Sequence, residues 1–341
     1  MVIARWLLGQ ISSDDLACFS NVSQSPAPGR PQGRDTVEAT CGGGLRAVCL
    51  QQASGFHPPG PHPKTMARMF GFIGNRADLG ARVLEANRPL LKARRPDGEP
   101  LGWGLGFYQS GEVLLRRRPI DDRAEIDLVE AAEDVRTDVM IGHVRRASVG
   151  ALRTENTHPF RYRAWLFAQT GTIVGFERLR SRLLESQPEF LRRNVRGETD
   201  SECFFYLFLS FLHDAGHLDD AHVQGDHVAA ALRASVALVD RLSAEEGHAE
   251  NTGDILVTNG ELLIAVNRTG STVFRRWNGR FEMEELLGED GLRKARIPSI
   301  ESSCFSLLAC DVDGVPPGFQ APPPRSIVHL SRSDEPRLEP L

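Results

Sequence analysis

DSECFFYLFLSFLHDAG, residues 200–216, is the stretch around which the rest of the chain arranges itself. Polar residues open it, with Asp200 or Ser201 as the expected cap, and Gly216 closes it; these are start and stop marks of a helix. Its interior is apolar almost all round, which in a helix means burial rather than one wetted face. A second helical pattern, amphipathic and again closed by Gly, follows at residues 226–247. Strand signals lie on both sides of this helical block. Upstream are ARMFGFIG (67–74), GWGLGFYQSGEVLLRRRP (102–119) turning at Ser110-Gly111, DVMIGHVRRAS (138–148), and RAWLFAQTGTIVGF (163–176) turning at Thr170-Gly171. Downstream are DILVTNGELLIAVNR (254–268), a hairpin with Asn259-Gly260 at its tip, then CFSLLACDVDG (304–314) and SIVHLS (326–331). Strands, then helices, then strands predict a layered α+β domain over residues 66–330, followed by a polar tail at 331–341.

Composition narrows the function classes. The chain has 341 residues, 41% hydrophobic and 25% charged, with a net charge of −5. That weakly acidic balance argues against a dedicated nucleic-acid binder, which carries a basic face or stripe. No stretch approaches the roughly 20 consecutive apolar residues of a membrane-spanning helix. The six cysteines form no CxxC pair and no zinc-finger spacing, which fits free thiols in a reducing cytoplasm. Residues 1–65 differ from the remainder: eight glycines and seven prolines interrupt them and no periodicity is sustained. They read as a disordered extension, or as a start assigned upstream of Met66.

Short strings, taken in order, carry a family resemblance: MARMFGF (66–72) with GWG (102–104), HVRRAS (143–148), ENTHPF (155–160) and GETDSE (197–202). Together they resemble the class II glutamine amidotransferases, in particular the small stand-alone type without a synthetase domain. The resemblance implies the four-layer αββα sandwich of N-terminal-nucleophile hydrolases and no cofactor. It also implies a chemistry in which an N-terminal Cys attacks the glutamine side-chain amide, with its own α-amino group as base.

Residue by residue, the resemblance splits. Arg145 matches the arginine that clamps the substrate α-carboxylate, and Asp200 the aspartate that accepts from its α-ammonium. Gly197 matches a glycine that lets this loop approach closely, and Gly171 the glycine of the oxyanion pair. His158 matches a position that shapes the pocket wall. The reacting groups depart: Ala67 stands at the nucleophile position and Thr170 at the oxyanion asparagine, preceded by Gln169 where histidine is usual. A methyl group cannot attack a carbonyl. The reading is therefore a catalytically degenerate protein that keeps a pocket for glutamine or a γ-glutamyl compound. Two alternatives stand beside it: an active γ-glutamyl amide hydrolase using an unrecognised nucleophile or activated water, and a ligand-free scaffold. Any partner that uses ammonia or is regulated is not identified by the sequence.

Other chemistry-bearing residues have plainer readings. Cys203 and Cys304 sit in apolar runs and read as buried, inert thiols. Asp200 alone is also a plausible helix cap, and Arg145 a structural strand arginine. His213, His217, His222 and His227, among several aspartates, have metal-ligand chemistry, but Gly216 breaks the helix between the first two. They read as a solvated helix–helix connection, and no metal site is expected.

Overall fold

A computed structural model describes residues 69–94, 99–146, 148–288 and 300–341. The extension at 1–65 and Ala67 lie outside the described residues. From the N-terminal side the elements are β1 (Met69–Gly74), α1 (Gly80–Ala86), β2 (Lys92–Arg94), β3 (Leu101–Gln109), β4 (Glu112–Asp121), β5 (Glu125–Asp127), β6 (Val139–Arg145), β7 (Phe160–Tyr162) and β8 (Trp165–Gln169). The helical block is α2 (Phe176–Glu185), α3 (Glu189–Arg192), α4 (Asp200–Asp214) and α5 (Gly225–Glu245). Then come β9 (Ile255–Thr258), β10 (Leu262–Asn267), β11 (Val273–Asn278), α6 (Gly279–Leu287), β12 (Cys304–Cys310), β13 (Ser326–Ser331) and β14 (Arg337–Pro340).

Two six-stranded sheets, paired antiparallel throughout, carry the architecture. One has the order β11-β12-β1-β6-β3-β4 and the other β14-β13-β10-β9-β8-β7. Strand alternation sends one set of side chains from each sheet into a shared apolar layer that includes Met69, Ile141, Leu166, Leu256, Ala265 and Leu308. The opposite set of the first sheet packs with α1 and α6 through Phe72, Val83, Leu84, Trp277 and Met283. The opposite set of the second packs with α2, α4 and α5 through Phe167, Leu179, Phe205, Phe208 and Leu232. The expected αββα layering is present. Helix α4 is buried on nearly every side, as its apolar sequence requires. Among the described residues no helix is long and apolar enough to cross a membrane.

Local chemistry accounts for the turns and for the differences from expectation. Ser110 and Gly111 both take positive φ (54° and 80°) between paired Gln109 and Glu112, the two-residue turn that matches the strands' twist. The Asn259-Gly260 hairpin closes through a longer tip: the Asn259 side-chain oxygen accepts from the Glu261 and Leu262 amides. The α4 cap is Thr199 rather than Asp200 or Ser201, because the Thr199 hydroxyl accepts from the Glu202 N–H at 3.2 Å. After Gly171 the chain turns away from β8 and enters α2, while β8 pairs back with β7. Arg337–Pro340, inside the stretch read as a polar tail, pairs with β13 at the sheet edge.

Gly104, in β3, lets the 154–160 segment lie against the first sheet: a Cβ there would stand 2.2 Å from the His158 carbonyl oxygen. Gly104→Ala is expected to destabilise the protein by about 1–3 kcal/mol, the usual cost of overpacking. A lowered urea midpoint at unchanged slope checks this.

Candidate functional site

Among the described residues a group of polar side chains gathers at one end of the apolar layer. On β6, Val139 and Ile141 fill the layer, and His143 and Arg145 continue the same inward alternation past its rim. Pairing holds β6 between β1 and β3, with Met69 opposite His143 and Gly102 opposite Arg145. The end of β8 meets this rim from the second sheet, and the start of α4 meets it from the helical layer. They enclose a cavity of about 40 Å³.

The β8 end is fixed by backbone bonding. Thr170 donates its N–H to the Asp254 carbonyl at 2.9 Å, and its hydroxyl accepts the Asp254 N–H at 3.0 Å. Gly171 has φ +78°, and a Cβ there would stand 2.2 Å from the Thr252 carbonyl oxygen, so only glycine fits this turn. At the α4 start, Asp200 accepts from the Ile173 amide at 2.7 Å and the Ser201 amide at 2.9 Å. Its carboxylate thereby ties the helix to the turn after β8. Burial raises the Asp200 pKa, with these hydrogen bonds opposing.

Gly197 stands behind the cavity rather than in its wall. Its N–H donates to Glu202 at 2.6 Å, and a Cβ would stand 2.4 Å from the Asn156 side-chain oxygen. Glu202 also accepts from the Arg196 amide, while Asn156 accepts from the Glu198 amide and donates to the Ala151 carbonyl. Thus Glu202 and Asn156 set the GETDSE loop, a role the strings alone did not reveal.

Arg145, 4% exposed, donates to the carbonyls of Val149 at 2.7 Å and Gly150 at 3.2 Å, and forms no ion pair among the described residues. Burial lowers its pKa and the Asp200 charge opposes that shift. Arg145 and Asp200 therefore bring one positive and one negative charge to the same cavity wall. His158 does line the wall, 4% exposed, packed on the His143 ring at 4.3 Å and edge-on to Phe160 at 4.6 Å. Burial and then the Arg145 charge push His143 down to about 3, offset in part by the nearby Gln169 carbonyl. Burial, together with His143, Arg145 and Arg117, holds His158 well below the ordinary histidine value. His143 was legible in principle, since it lies two residues before Arg145 on one strand and so shares its face.

The remaining candidates fall elsewhere. Cys203 is buried in α4 with its thiol pushed up to about 12, and Cys304 is buried in β12 and also raised; neither lines the cavity. His217, in the α4–α5 connection, stacks at 3.9 Å on His227 in the first turn of α5. Asp226, His329 and Glu339 bring ligand-type atoms within 4.8 Å of one another. Arg337 pairs with Asp226 and Arg233 with Glu339, so the group is a charge-balanced fastening of β14 to α5.

Burial of the His143 imidazole makes stability depend on pH. Between about pH 6.5 and the folded value near 3, the unfolded chain binds a proton at His143 that the native state does not. This contribution to stability is complete above pH 6.5 and lost as pH falls. His143→Gln is expected to flatten the dependence of unfolding free energy on pH between 6 and 4 by up to one proton. Urea melts across that range measure it, and Asp200, which titrates with the opposite sign, is common to both proteins.

Comparison with known proteins identifies the family. The family described as glutamine amidotransferases class-II matches residues 90–290, more than half of the chain. The probable glutamine amidotransferase DUG3 of Saccharomyces cerevisiae is 30% identical over 194 residues, covering 52% of this chain and 54% of that protein. The putative glutamine amidotransferase YafJ of Escherichia coli is 29% identical over 116 residues, covering 32% and 41%. The chain thus spans about half or less of the length of these curated relatives. A solved class-II domain protein from Silicibacter pomeroyi superposes with a TM-score of 0.49 at 16% identity, over 80% of this chain and 98% of that one. On the family match, the chain belongs to the class-II glutamine amidotransferases.

Proposed function

We propose that this protein keeps the amino-acid pocket of its family and has lost the glutaminase step. The observation that carries the proposal is the convergence of Arg145 and Asp200 on one cavity. A guanidinium and a buried carboxylate of opposite sign suit the α-carboxylate and α-ammonium of an amino acid. Glutamine, or a γ-glutamyl compound with the same two ends, is the ligand class the family supplies.

The loss of chemistry rests on the residues that would react. With Ala67 at the nucleophile position, covalent attack has no thiol; removing a nucleophile from a comparable acyl-transfer enzyme costs on the order of 10⁶ in turnover. Thr170 in place of an oxyanion asparagine removes a donor, worth about 10²–10³, and its hydroxyl is already engaged with the Asp254 amide. These losses act on one unit and do not multiply.

Titration calorimetry of L-glutamine into the full chain tests the reading. Saturable heats that return to baseline are expected, and Arg145→Ala should weaken binding at least tenfold, the range for a lost charge-assisted contact. Thermal power that persists after each injection, with ammonia release, would establish an active hydrolase instead. No heat at millimolar ligand would leave a scaffold role.

A further inference from the structure

A second cleft lies at the other end of the shared layer, where β6 begins rather than where it ends in Arg145. Its volume is about 570 Å³, within the roughly 300–1,000 Å³ range of small-molecule sites. The walls come from the β3–β4 turn, the β7–β8 turn, the β9–β10 tip and residues just before β6 and just after β13. Tyr108 lies in it with its ring against Gly260, where a Cβ would stand 2.8 Å from the ring. The Tyr108 hydroxyl donates to the Ala164 carbonyl at 2.6 Å.

Four arginines, Arg136, Arg161, Arg163 and Arg332, converge on this cleft. Two of them are fasteners. Arg163 pairs with Asp219 in the α4–α5 connection, and Arg332 bonds Asp138 at 3.0 Å and Glu261 at 2.8 Å, which ties the first sheet to the second. The other two lack a carboxylate. Arg161 donates to the Val113 carbonyl at 2.8 Å and the Arg163 carbonyl at 3.3 Å; these take two of its five N–H groups and hold the guanidinium in place. Arg136 forms no ion pair among the described residues; Asp78, which feels its charge, is paired with Arg76 at 2.7 Å. Of the acidic residues in the walls, Asp138 and Glu261 are engaged by Arg332, and Glu112 stands exposed at the start of β4.

Like charges brought to one cleft repel, and an arginine with open N–H groups forms paired bonds to two oxygens of a phosphate or carboxylate. Glu112 and the second carboxylate on Arg332 keep the net field small, so recognition rests on directed N–H groups rather than on bulk charge. We infer that this cleft is a binding site for a small dianion, a phosphate ester or a dicarboxylate, held by Arg136 and Arg161 beside Tyr108. It is separate from the amino-acid pocket and does not depend on it.

Calorimetric titration of the full chain with inorganic pyrophosphate and, separately, with succinate is the test, at pH 7 in about 0.15 M salt to screen attraction to the overall charge. Saturable binding is expected; pyrophosphate alone identifies a phosphoryl ligand, and both together a dianion of either kind. Arg161→Gln and Arg136→Gln should each weaken binding about tenfold, the size of one charge-assisted contact. Glu112→Gln should tighten it about two- to threefold, the share of one exposed charge. Arg193→Gln, at an exposed arginine after α3 and outside the cleft, changes the net charge as much and should leave affinity unchanged. Arg136→Gln breaks no ion pair among the described residues, so it decides the matter even where Arg161→Gln fails to fold. No saturable heat with either probe overturns the site. So does unchanged affinity in the folded cleft variants, or a loss in Arg193→Gln equal to theirs.

Discussion

Two sheets that share one apolar layer bring several inward-facing polar side chains together at one end of that layer. The candidate site of this protein depends on that constraint. Along β6 the alternation runs Val139, Ile141, His143, Arg145 on one face, so the change from core to site takes place within one strand. Pairing with β1 and β3 on both sides removes any freedom of register: a slip of one residue would turn His143 and Arg145 toward the helical layer and bring Val144 inward.

The other half of the site is held by backbone hydrogen bonds rather than by packing. The carboxylate of Asp200 reaches from the first turn of α4 to the Ile173 amide, while Thr170 is bonded to Asp254 through both its amide and its hydroxyl. These contacts join the helical layer, the end of β8 and the segment before β9. Glu202 and Asn156 complete the arrangement by satisfying the amides of Arg196, Gly197 and Glu198. A buried loop needs such partners, since its own amides have no ladder to join.

A site held in this way takes its shape from hydrogen bonds within the fold. Thr170 serves as a strand stitch, Gly171 supplies a left-handed turn pressed against the Thr252 carbonyl, and Asp200 is both charge and tether. None of these duties requires a nucleophile. The guanidinium of Arg145 is likewise kept bonded in its buried position by the Val149 and Gly150 carbonyls. Geometry and chemistry are thus separable in this fold, and the polar residues do the holding.

From the sequence, apolar strand segments on both sides of a helical block predicted a layered α+β domain, and the family resemblance implied its αββα layers. It also determined the residue types at Arg145, Asp200, His158 and Gly171, through short strings whose order is specific. It misplaced the α4 cap by one residue, since Thr199, Asp200 and Ser201 have interchangeable capping chemistry and only the Thr199–Glu202 bond distinguishes them. It placed Gly197 in the pocket loop, and the fold set it behind the wall against Asn156 and Glu202. What only the tertiary structure decided is the company each side chain keeps: His143 on His158, with Gln169 beside them in one cavity wall. Those residues come from different strands and a loop, and no local pattern encodes a contact made between two sheets.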